Sequence, residues 1–193
     1  ALRFGTGGTT GVGSIIYGIT KVAKYLDDKS YLNRAYSFYQ TITTKDVKTS
    51  LREDVVSGNA GLLLSLIELD HHLDKKELRD EIKDVTDHII KKGFEKNRFI
   101  GWEYQQSKRL LGFSHGSSGI LYALTKYLNY SKDPALTEKI QKIIEHEESH
   151  YSVQENNWPD YRYATTKWDV VSWCHGAVGI GMSRLNLLGN SVL

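Results

Sequence analysis

Two kinds of apolar pattern alternate along the chain. In the first, apolar residues are nearly continuous, as in Leu62, Leu63, Leu66, Ile67 and Leu69, and again in Ile120, Leu121, Leu124 and Leu128. Runs of this kind predict helices buried on most sides. In the second, apolar residues recur on one face only. Leu78, Ile82, Val85 and Ile89 follow i, i+4, i+7, i+11 spacing, with Lys, Asp and Glu between them, which predicts an amphipathic helix. Leu32, Ala35, Tyr36, Tyr39 and Ile42 repeat the pattern, as do Leu136, Ile140, Ile143 and Ile144. Pro134 stands at the start of the last of these, where a missing N–H costs little. Each unit is thus a buried inner helix followed by an outer, half-solvated one.

The inner helices open on glycines, and the openings align. Thr10-Gly11-Val12-Gly13, Gly58-Asn59-Ala60-Gly61, Gly116-Ser117-Ser118-Gly119 and Gly176-Ala177-Val178-Gly179 place anchor glycines at 13, 61, 119 and 179, which are 48, 58 and 60 residues apart. A repeat of this period is the signature of a stacked array. Stacked helical hairpins build an open solenoid or a closed α/α toroid. The expected fold is therefore all-α, with residues 1–193 forming one domain of about four hairpins. Glycine at an inner-helix start lets backbones converge and leaves free N–H groups facing the centre. The residues just ahead of the glycines, Thr9, Ser57, His115 and His175, with Cys174 and Asp54 close by, are expected to face a shared cavity. The longer aromatic-rich stretches 94–113 and 151–173 read as ordered loops, with short hairpins, over that cavity.

Composition narrows the class. A net charge of +2 with interspersed signs gives no reason to expect nucleic acid or an anionic membrane as partner. No apolar run reaches the ~20 residues a membrane-spanning helix needs. A single cysteine excludes an internal disulfide and fits a reducing, cytoplasmic setting. No signal-peptide pattern opens the chain. Both ends read as cut from a longer chain, and four hairpins of a larger ring would leave inner-helix faces unpaired at both ends. His146 and His150, spaced i, i+4 among Glu145, Glu147 and Glu148, read as a solvated face. His71 and His72 lie on a charged stretch, and His88 carries no signal of its own.

Three segments then carry a resemblance. Asp54-Val55-Val56-Ser57-Gly58-Asn59-Ala60-Gly61, Gly112-Phe113-Ser114-His115-Gly116-Ser117-Ser118-Gly119 and Trp173-Cys174-His175-Gly176-Ala177-Val178-Gly179 resemble successive motifs of the lanthionine synthetase C-like cyclases. Asn157-Trp158-Pro159-Asp160 ahead of the third is most similar to the C-terminal cyclase domain of LanM-type (class II) lanthipeptide synthetases. The resemblance implies an α/α toroid and a role in lanthipeptide (lantibiotic) biosynthesis. The implied reaction is zinc-dependent addition of a peptide Cys thiolate to dehydroalanine or dehydrobutyrine, giving lanthionine or methyllanthionine. The implied partner is a precursor peptide with dehydrated Ser/Thr, and the chain would belong to a larger synthetase.

The resemblance also assigns residues. Cys174 corresponds to the first zinc ligand, and the remaining ligands are expected beyond Leu193, so this chain alone would lack a complete Zn²⁺ site. His115 corresponds to the general acid/base and Asp54 to an assisting aspartate. His175 stands beside the ligand as a supporting or substrate-contacting group. Two other readings remain open. One is a non-catalytic helical module that binds a peptide or thiol. The other is a cysteine hydrolase with Cys174 as nucleophile, His115 as base and Asp54 or Asp169 as orienter.

Overall fold

The computed structural model describes residues 5–96, 99–104, 108–163 and 165–188. They are all-α apart from one short hairpin. Contacts divide the chain into two compact units, Ala1–Ile90 and Lys91–Leu193, each containing two of the glycine-headed inner helices.

The first unit holds α1 (Val12–Leu26), α2 (Ser30–Tyr39), α3 (Thr44–Lys48), α4 (Asn59–Leu73) and α5 (Lys76–Lys92, which runs just past the boundary). The inner helices α1 and α4 pack on each other and both contact α2. Leu62, Leu63, Leu66 and Leu69 of α4 are fully buried, each contributing about 1.5–3 kcal/mol by the area it removes from water. The amphipathic prediction for α5 holds, with Leu78, Ile82, Val85 and Ile89 all at 0% exposure. Helix α2 stops at Tyr39, so Ile42 lies past its end. Thr43 then starts α3 with a reciprocal capping box to Asp46.

The second unit holds β1 (Phe94–Lys96), β2 (Phe99–Gly101), α6 (Ser117–Ser131), α7 (Ala135–Glu148) and α8 (Ala177–Leu185). The strands are antiparallel, with Phe94 opposite Gly101 and Lys96 opposite Phe99, the short hairpin expected within 94–113. Helix α6 packs on α7 and α8, and β2 lies against α7. Helix α8 leaves Val178, Met182 and Leu185 exposed. No helix among the described residues is long and apolar enough to cross a membrane.

Helices α1, α4 and α6 are built alike. Each is 15 residues long, has a glycine N-cap in extended backbone, and ends on a left-handed residue, Asp27, Asp74 or Lys132. Buried hydroxyls within them bond back to the carbonyl four residues earlier, Thr20 to Ile16, Ser65 to Gly61 and Thr125 to Leu121, each at 2.8 Å. That satisfies polar groups a dry helix would otherwise strand.

The cap geometry corrects the register of the first repeat. The N-caps are Gly11, Gly58, Gly116 and Gly176. Gly11, not Thr10, is therefore the counterpart of Gly58, and Ser14 stands where the later copies have Gly61, Gly119 and Gly179. Ser14 N–H bonds Gly11 O as Gly61 N–H bonds Gly58 O. The residue just ahead of the first cap is therefore Thr10 rather than Thr9.

A second correction concerns α7. Its stripe of buried residues is Leu136, Ile140, Ile143 and Glu147. Glu147 is fully buried, and His146 and His150 line a cavity with Phe94, Phe99 and Arg109. This stretch is not a solvated face. Burial, with His150 and Arg109 nearby, pushes the His146 imidazole down to about 4.

Candidate functional site

In each unit two glycine loops stack backbone to backbone, and the stacking requires glycine. In the first unit, a Cβ on Gly61 would lie 2.0 Å from Val55 O and 2.2 Å from Gly8 N. Gly8 and Thr9 N–H groups donate to Val55 and Val56 carbonyls at 3.0 Å. In the second unit, a Cβ on Gly112 would lie 2.3 Å from Cys174 O and 2.8 Å from His175 Cα. Ser114 completes that junction, donating from both N–H and Oγ to Cys174 O at 3.3 Å. The segment carrying His115 is thereby fixed directly to the segment carrying Cys174.

The loop before α8 is braced further, and its cap takes a positive φ that calls for glycine. Gly176 has φ +86, and a Cβ there would meet Val170 O at 2.0 Å. Asn157, 1% exposed, braces the turn. Its Nδ2 donates to Trp168 O at 2.6 Å and Val170 O at 3.1 Å, and its Oδ1 accepts the Ala177 N–H at 2.9 Å. Ser172 closes the loop, its N–H donating to His175 O at 2.9 Å while its Oγ accepts the His175 N–H at 3.3 Å.

The side chains on this frame are chemically distinct. Cys174 is a free, partly exposed thiol. His175 is 4% exposed, and burial, with Arg162 and His115 adding to it against Asp160, pushes its imidazole down to about 4. It is therefore neutral at neutral pH. His115 is half-buried with its ring 5.0 Å from that of Tyr104. Asp160 is 2% exposed and gripped by Arg162 through Nε at 3.0 Å and Nη2 at 2.6 Å. Burial pushes the Asp160 carboxyl up, but Arg162 and His175 pull it below the usual carboxylate range. Arg162 also feels Cys174. The second unit therefore gathers Cys174, His175, His115, Asp160 and Arg162.

Asp54 belongs to the first unit. It is 3% exposed, and its Oδ1 accepts the Ser57 N–H at 2.6 Å. Asp169, the other orienter considered for a hydrolase, enters none of the interactions described around Cys174. Asp160 and Asn157 were seen in the sequence only as part of a resemblance. A buried Asn in a long loop leaves no periodic trace, whereas the Asp160-x-Arg162 spacing could have suggested a local ion pair.

Donor chemistry bears on zinc. Cys174 is a soft donor of the type zinc prefers. Among the described residues, however, no group of three or more His, Cys, Asp and Glu side chains could hold a metal ion. The described residues thus present one soft thiol donor, and no metal-holding cluster around it.

Comparison with known proteins gives the family. The family model described as lanthionine synthetase C-like protein matches residues 4–191. The lacticin 481/lactococcin biosynthesis protein LcnDR2 of Lactococcus lactis subsp. lactis is 25% identical over 168 residues, covering 86% of this chain. The chain spans only 16% of that relative's length. With the match running nearly end to end and the glycine-headed helices in place, the chain belongs to the lanthionine synthetase C-like family.

Proposed function

We propose that this chain is part of a cyclase of lanthipeptide biosynthesis that closes thioether rings on a precursor peptide whose Ser and Thr residues have been dehydrated. The observation that carries the reading is the junction of Gly112 and Ser114 with Cys174, which sets a thiol and an imidazole on neighbouring loops of one frame.

In this reading the substrate thiol loses its proton and its sulfur adds to the β-carbon of a dehydroalanine or dehydrobutyrine. The C=C electron pair moves onto the α-carbon and its carbonyl, and one proton must then reach the α-carbon. His115 supplies that proton, since imidazole exchanges protons near neutral pH. No electrons are gained or lost overall. Cys174 would supply one thiolate ligand to a zinc ion, the remaining ligands coming from elsewhere in the larger synthetase. When bound, zinc would lower the pKa of the attacking thiol. His175, neutral and buried beside Cys174, supports that ligand or contacts the substrate. Asp54 carries the assisting role that the resemblance assigns. The chain works within a larger, cytoplasmic synthetase.

The test uses the full-length enzyme and a dehydrated precursor peptide, with uncyclised thiols captured by alkylation and counted by mass. His115→Ala and Cys174→Ala are expected to slow ring closure by about a hundredfold or more, with dehydration unchanged. Asp54→Asn, assayed alongside, is expected to slow it less. Rings formed at the parental rate by both His115→Ala and Cys174→Ala would reject the assignment.

A further inference from the structure

Glu147 is the most deeply buried charged residue the described chain offers, at 0% exposure. Its position on α7 continues the stripe Leu136, Ile140, Ile143 by i+4, so the helix itself drives the carboxylate inward. A lone buried carboxylate is costly unless it is paired and hydrogen-bonded. Here it has partners on two other elements.

Its Oε1 accepts from Ser117 Oγ at 2.7 Å and Ser118 Oγ at 2.8 Å, the first two residues of α6, directly after His115-Gly116. Its Oε2 lies 2.9 Å from Arg184 Nη2 on α8, the helix that follows Cys174-His175. Its backbone carbonyl accepts the Trp158 Nε1–H at 2.9 Å, two residues from Asp160. Burial pushes its carboxyl up to about 7, against Arg184 and the two hydroxyls, which pull it down.

We propose that Glu147 is a positioning residue, a single buried carboxylate that ties the helix behind His115 to the helix behind Cys174 while its backbone anchors the loop bearing Asp160. None of these spokes touches the reacting groups directly. The α6 and α8 spokes act on the helices that follow His115 and Cys174, and the third acts on the loop that carries Asp160. The three site segments lie in loops; Ser114 joins two of them at the Cys174 carbonyl, and their placement on the helices depends on ties such as these. The proposal rests on the preceding functional reading only for what the side chains do. The tie itself can be read without turnover.

The test follows two probes in the full-length enzyme, the alkylation rate of Cys174, read by mass on the peptide that carries it, and the ring resonances of His115, assigned by their loss in His115→Ala. Glu147→Gln removes the charge at constant shape and is expected to move both, changing the alkylation rate by about twofold to thirtyfold. Ser118→Ala loosens only the α6 spoke and should move His115 more than Cys174. Arg184→Met loosens only the α8 spoke and should move Cys174 more than His115. Ile140→Val, on the same buried stripe but remote from the carboxylate, serves as the control and should move neither probe, whatever it does to the melting temperature. If Glu147→Gln fails to fold, the opposite preferences of the two spoke variants decide. The proposal is overturned if both probes stay at their parental values in the spoke variants, or if Ile140→Val shifts them as much. Loss of ring closure with these probes unmoved would leave the cyclase reading standing and remove Glu147 from it.

Discussion

The two units use one backbone device for different ends. In the first, the loop before α1 stacks on the loop before α4 through Gly7, where a Cβ would meet Val56 O at 2.3 Å and Ser57 Cα at 2.5 Å. In the second, the loop before α6 stacks on the loop before α8 through Gly112 and the Cys174 carbonyl. The helix-entry bonds match position for position. Asn59 and Ala60 N–H groups donate to Arg52 and Glu53 carbonyls, as Ser117 and Ser118 N–H groups donate to Leu110 and Leu111. The side chains ahead of the caps differ. The first unit places Thr10 and Ser57 there, and the second places His115 and His175. Repeated stacking is thus a scaffold, and histidines stand directly ahead of the caps in only one of the two units.

Glycine substitutions break the comparison most sharply. Gly7→Ala and Gly112→Ala each force a Cβ to 2.3 Å from a backbone carbonyl oxygen, and each should cost about 3 kcal/mol in denaturant unfolding. Gly112→Ala alone is expected to change the alkylation rate of Cys174. Equal changes from both would mean that the stacks are not separate devices.

The buried glutamates sharpen it further. Glu53 accepts from Asn59 Nδ2 at 2.8 Å and lies 3.4 Å from His88 Nε2, while Glu147 faces an arginine that never loses its charge. Removing one partner of a buried charge pair is strongly destabilising, so Glu147→Ala should cost about 3 kcal/mol and Glu53→Ala less, measured as midpoint shifts in urea.

A pH titration of stability separates groups within the second unit. His146 and His175 have folded values near 4 against an ordinary 6.5. Their contribution is complete above pH 6.5 and is lost as pH falls toward 4. Glu147 acts in the opposite sense, its folded value of about 7 lying above the ordinary 4.5, so its contribution declines as pH rises between those values. His146→Gln should flatten the acid limb of the melting temperature, and Glu147→Gln should flatten the limb toward pH 7.

The smallest effects come from glycines that do not stack. Gly18 in α1 and Gly181 in α8 have nothing within 4 Å of a built Cβ. Alanine at either should stabilise by about 0.5–1 kcal/mol, detectable as a rise in melting temperature.

Much of this was legible in the sequence because helical periodicity reports burial directly. The stripes of α5 and α7 and the near-continuous runs of α4 and α6 fell where expected, and the Gly-x-x-Gly spacing marked the inner-helix starts. The first repeat was misread by one position because Gly11 and Gly13 both fit the spacing, and only the cap geometry distinguishes them. Glu147 was hidden by residue type. Its place on the Leu136-Ile140-Ile143 stripe was visible, but a glutamate flanked by Glu145 and Glu148 reads as solvent-facing until Ser117, Ser118 and Arg184 come into view. Asn157 stands out only within the resemblance and not by pattern, because its bonds to Val170 and Ala177 join segments with no common period.

The most direct measurement compares ring closure by the full-length enzyme carrying His115→Ala with that carrying Ser57→Ala, each at the residue just ahead of a glycine cap, one in each unit. The account predicts a loss of about a hundredfold or more for His115→Ala and near-parental rings for Ser57→Ala. Equal losses, or intact ring closure in His115→Ala, would contradict it.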